Sequence, residues 1–90
     1  MEVSFDPHKR AVTLADRGLD FADAPRLYDG LYIVSVDDRF DYLEERFLTH
    51  GYLDGRMVMF AWTPTDDGIR VFSMRHCHAK EERRIRPRMG

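Results

Sequence analysis

Ninety residues carry 14 Lys/Arg against 16 Asp/Glu, a formal charge of -2, with 43% apolar and 12% aromatic residues. That length holds one domain, spanning residues 1–90, with room for a single small core, and the aromatic content excludes a disordered chain. No run approaches the roughly 18 apolar residues of a membrane span, Met1 to Asp6 lack the plan of a signal peptide, and the lone Cys77 excludes an internal disulfide, so the sequence reads as cytoplasmic.

Val3-Ser4-Phe5 is a short extended start. Asp6 caps and Pro7 opens a helix over 7–17, with Ala11, Leu14 and Ala15 toward the core and Gly18 as a left-handed cap. Asp20 caps a shorter helix over 21–28 that turns Phe21, Ala24 and Leu27 inward before Asp29-Gly30. Strand-like runs follow over 31–36, 45–52, 56–63 and 69–75. Asp54-Gly55 is a tight-turn signal between the second and third, and the third is apolar on both faces, as a central strand requires. Short connections predict an α+β fold: two N-terminal helices packed on one face of a four-stranded antiparallel meander, then a short basic helix over 79–84 and a frayed end.

The small net charge hides an asymmetry. Residues 1–69 hold seven Lys/Arg and fourteen Asp/Glu, whereas residues 70–90 hold seven and two. A basic C-terminal stretch suggests an anionic partner, nucleic acid or an acidic protein segment, the alternative being a solvated tail.

The residues carry a closer resemblance. Phe5-Asp6-Pro7 with Lys9, Gly18, Phe21 and Ala24, then Glu44-Glu45-Arg46-Phe47 with Gly51, Gly55-Arg56, Trp62-Thr63-Pro64 and Arg70 to Arg75 ending at Glu81, resemble in order and spacing the landmarks of the BrnT toxins, relatives of the RelE/ParE ribonuclease toxins. Thr13, Arg17, His76, Cys77 and Glu82 depart from the usual text of that family. The resemblance implies the toxin of a bacterial type II toxin–antitoxin pair, a ribonuclease that inhibits translation. It also implies a BrnA-like ribbon-helix-helix antitoxin in a two-to-two complex, with operator DNA reached only through that antitoxin. A reading of another class is a non-catalytic RelE-like module that binds its antitoxin and co-represses without cutting RNA, motivated by the changes at His76 and Cys77.

RNA cleavage without a metal needs a base for the 2′-hydroxyl, cations for the phosphorane and an acid for the leaving 5′-oxygen. No carboxylate cluster suggests a two-metal nuclease, since Asp37-Asp38 and Asp66-Asp67 fall in turns, so no metal or cofactor is expected. Arg75, at the end of the last strand, is the leading phosphate ligand; the bland alternative pairs it with Glu44 or Glu45. Arg56 and Arg70 are further phosphate candidates, each equally readable as a solvated strand position. His76 and His78 are acid–base candidates, and one intervening residue puts them on the same side of an extended segment. His50 reads as a half-exposed strand residue and Cys77 as a small semi-buried one. Trp62 is either core or, as the resemblance implies, a platform for a base. Lys80, Arg83 and Arg84 are candidates for RNA binding, or else a solvated helix face paired locally with Glu81.

Overall fold

Met57 through Ala61 is buried at every position, which requires cover on both faces of the strand that contains it. The computed structural model, describing residues 1–90, supplies that cover. Its five strands are β1 (Glu2–Ser4), β2 (Tyr32–Val36), β3 (Phe47–Leu53), β4 (Arg56–Pro64) and β5 (Gly68–His76). They lie in the order β1-β5-β4-β3-β2, with β4 in the middle as expected. Helix α1 (Pro7–Arg17) and a 3₁₀ segment (Phe21–Asp29) precede β2, and α2 (Ala79–Ile85) with a 3₁₀ turn (Arg86–Met89) follows β5.

The sheet departs from the expected four-stranded antiparallel meander. β2 to β5 form that meander, but β1 adds a fifth strand, parallel to β5 through Glu2↔Gly68, Val3↔Ile69 and Ser4↔Arg70. Three residues pairing across the length of the chain leave no hairpin signal to read. The approach is close enough that a Cβ on Gly68 would collide with the Glu2 backbone, its nitrogen 2.6 Å away. The hairpin between β3 and β4 turns at Asp54 and Gly55 with φ of +51° and +82°, the two positive values that a tight primed turn needs.

The two N-terminal helices also differ from expectation. α1 starts and stops as read: Asp6 accepts from the N–H of His8 and Lys9, and the Gly18 N–H donates to the Leu14 carbonyl at φ +69°. It buries no residue, however, and Leu14 remains 44% exposed. α1 sits beside β5 and is held by polar contacts, Arg17 to the Met74 carbonyl at 2.8 Å and Arg10 to both oxygens of Asp20. The second helix winds as 3₁₀ because Pro25 has no N–H and its ring would strike the Phe21 carbonyl in an α-helical register. This segment, with Leu19 just before it, covers the first face, inserting Phe21, Ala24 and Leu27 against Leu53, Val58, Phe60 and Met74. The opposite face is closed by α2, which buries Glu81 and Ile85. The chain therefore stacks three layers, with α2, whose place the sequence left open, on the second face. The expected frayed end is the 3₁₀ turn Arg86–Met89.

Candidate functional site

Register places the site. Ile33↔His50, His50↔Met59 and Met59↔Arg75 form one row across β2 to β5. Alternation turns this row away from the core formed with Val58 and Phe60 and toward α2. Between the row and α2 lies a cleft of about 290 Å³ that gathers four arginines, Arg39, Arg75, Arg84 and Arg88, against two carboxylates, Asp38 and Glu81.

At its floor Glu81 descends from α2 onto Arg75. The guanidinium donates to both carboxylate oxygens, at 2.7 and 2.9 Å, the bidentate geometry that a phosphate also offers to arginine. The partner of Arg75 is thus Glu81, and neither Glu44 nor Glu45. Arg75 holds the Glu81 carboxyl down to about 2, and Glu81 in turn raises Arg75. His50 Nε2 stands 3.6 Å from Glu81 Oε2. His50 is only 5% exposed, which corrects its reading as a half-exposed strand residue. Burial pushes its pKa below the ordinary value despite the opposing pull of Glu81, so the ring is neutral at neutral pH. Its Nδ1 is buried with no hydrogen-bond partner.

Cys77 completes this floor. Ligand atoms of His50, Cys77 and Glu81 lie within 4.8 Å of one another, a set that could hold a metal ion. Two features oppose it: burial, its largest cause, pushes the Cys77 thiol up to about 12, and both Glu81 oxygens are already taken by Arg75.

The other expected site residues divide. Arg84 lines the cleft, and His78, exposed at the N-cap of α2, shares an adjoining depression with Lys80, Glu81 and Arg84. Arg83 lies on the far side of α2 with Arg86, in a depression whose only carboxylate is Glu82. His76 pairs with Val58 and shares the alternation of the core face, with its Nδ1 buried and unpartnered. His76 and His78 therefore do not share a side, because the strand ends between them. Trp62 is on the core face too: its Nε1–H donates to Thr49 at 2.8 Å and its ring lies against Phe47. Arg56, exposed, shares the alternation of Val58 and Phe60. Arg70 is exposed at the other end of β5, five positions before Arg75, on the order of 15 Å away at about 3.3 Å per residue.

The family model of BrnT, the ribonuclease toxin of type II toxin–antitoxin systems, matches residues 5–81. The chain belongs to the BrnT family. No curated protein sequence matches it significantly. The BrnT match spans the whole His50–Arg75–Glu81 floor and ends before Arg84 and Arg88, so two of the four cleft arginines lie beyond the matched residues. Membership makes the chain a ribonuclease toxin whose counterpart is an antitoxin. No helix of this BrnT chain is long and apolar enough to cross a membrane.

Proposed function

We propose that the arginine cleft is the ribonuclease centre and that it cuts RNA without a metal ion. The observation that carries this reading is the Arg75–Glu81 pair with His50 beside it, at the bottom of a cleft rich in arginine. A neutral imidazole can accept the 2′-hydroxyl proton, and the Glu81 carboxylate stabilises the imidazolium that results. Arg75, with Arg84 and Arg88 above it, neutralises the charge that builds on the phosphorane. His78, in the adjoining depression, is in this reading the acid that protonates the leaving 5′-oxygen. Because Arg75 already neutralises Glu81, the carboxylate best suited to bind a divalent ion is occupied, which favours guanidinium over metal chemistry.

In the cell this chemistry would act in the cytoplasm on RNA engaged in translation. A BrnA-like ribbon-helix-helix antitoxin in a two-to-two complex would restrain it and carry it to operator DNA. The test is cleavage of a single-stranded RNA by the purified chain. Cleavage should persist in excess EDTA and fall at least a hundredfold in both Arg75→Ala and His50→Gln. Cleavage abolished by EDTA, or unaffected by either substitution, overturns the assignment, and folded chain that leaves RNA intact favours the non-catalytic module.

A further inference from the structure

Nine large apolar side chains stand exposed, and six of them lie between residues 31 and 43: Leu31, Tyr32, Val34, Val36, Phe40 and Leu43. Three of the six belong to β2, the free edge of the sheet. The Asp37 N–H donates to the Arg46 carbonyl at 2.8 Å, one step beyond the Val36↔Phe47 pair. Antiparallel ladders bond at every second pair, so Ile33 and Ser35 direct their N–H and C=O groups to β3. The N–H and C=O groups of Tyr32, Val34 and Val36 consequently point away from the sheet, unpaired. An edge that is both unpaired and apolar is a template for another strand.

The two faces of this edge differ. Tyr32 packs edge-to-face on Tyr28, and Val36 stands opposite Phe47, so the exposed apolar residues extend the core face. Ser35 lines the cleft on the other face, where Arg39 follows β2 in the chain and Arg88 closes the far wall. A strand added here would set alternate side chains beside valine and tyrosine and the others toward arginine.

We propose that β2 is the docking edge for an extended segment of the antitoxin. The segment adds a sixth strand, apolar on the core side and acidic on the cleft side, and its carboxylates close the arginine cleft. That closure rests on the cleft being the RNA site; the docking does not. Charge selects this occupant: Arg39 and Arg75 are paired with Asp37 and Glu81, while Arg84 and Arg88 line the cleft without a carboxylate partner and invite acidic side chains. A second copy paired through β2 would instead bring two arginine-rich clefts together. RNA could fill the cleft but would leave the apolar edge in water.

The test uses the full chain titrated with a BrnA-like antitoxin. In the complex, amide exchange at Tyr32, Val34 and Val36 should slow at least a hundredfold relative to the free chain. Val34→Pro removes one outward N–H while sparing the bonds to β3, as an edge strand tolerates, and should weaken binding at least tenfold; Arg88→Glu should do the same. Exchange at these amides that is unchanged in a complex that forms overturns the inference, as does Val34→Pro binding within twofold of the parent. The exchange measurement uses the unaltered chain and decides even where Val34→Pro is unstable. Protection already present in a self-associated free chain overturns it in favour of a second copy. If the free chain does not cut RNA but the β2 amides are protected in the complex, the ribonuclease assignment of the cleft fails and the docking edge stands.

Discussion

Glu81→Gln keeps the shape of the side chain and removes the charge that Arg75 grips. In the folded chain the Glu81 carboxyl titrates at about 2 against an ordinary 4.5. At 1.36 kcal/mol per pH unit, that gap bounds the contribution of the carboxylate to stability at about 3 kcal/mol. Breaking a fully buried pair costs about 3–5 kcal/mol, but the Arg75 side chain is 35% exposed and water screens part of the loss. A cost of about 2 kcal/mol at pH 7 follows. For a domain of this size it corresponds to a melting temperature lower by about 8–16 °C. Because the folded-state value is depressed, the stabilisation is complete above about pH 4.5 and fades as pH falls toward 2. Urea unfolding of both proteins across that range should therefore show a gap that closes on acidification. A variant within about 0.5 kcal/mol of the parent at pH 7, or a gap that persists undiminished at pH 2, refutes the placement of Glu81 against Arg75.

Three further outcomes follow from the same geometry. With His50 as base, burial holds its imidazolium form below the ordinary 6.5, so the acid limb of a single-turnover cleavage profile should have its midpoint below 6.5; a midpoint at or above that value removes His50 from the role. Trp62→Phe loses the bond to Thr49, a hydroxyl that Tyr28 also contacts at 3.1 Å, and should cost about 1 kcal/mol by thermal unfolding. RNA cleavage should stay within twofold, and a tenfold fall would place the core face in the reaction. Gly68→Ala drives a Cβ into the Glu2 backbone and should destabilise by about 1–3 kcal/mol in urea; unchanged stability would mean that β1 is not seated on β5.

The parts of the fold written in local chemistry were legible in the sequence. The caps at Asp6 and Gly18, the Asp54-Gly55 turn and the doubly buried β4 each depend on neighbours a few residues apart. β1 was not legible, because its partner is β5 and nothing near Val3 encodes that pairing. The face of α1 misled for a related reason. Ala11, Leu14 and Ala15 share a helical stripe, yet a stripe does not say whether a surface waits opposite it. The 3₁₀ segment, with the larger Phe21 and Leu27, occupies that surface first.

The site divides along the same line. Arg75 stood out because a guanidinium at a strand end beside a basic helix is readable from order alone. His50 did not, because its position depends on two registers at once. The β3–β4 pairing sets it opposite Met59, and the β4–β5 pairing sets Met59 opposite Arg75. A one-residue slip in the first pairing would turn His50 to the core face, one in the second would turn Arg75 there, and either would dissolve the cluster. Register also separates residues that the sequence grouped. Arg56 was a phosphate candidate on a strand neighbouring Arg75, and Trp62 was either core or, by the resemblance, a base platform; the parity of β4 sends both to the core face. The charge asymmetry is sharpened likewise. Arg75, Arg84 and Arg88 come from the basic final stretch, while Arg39 reaches the cleft from the acidic part of the chain. Arg39 is anchored there by a bidentate bond to Asp37, a carboxylate buried at the end of β2. Asp37, which the sequence offered only as half of a consecutive pair in a turn, thus fixes an arginine at the place where the free edge of the sheet meets the cleft.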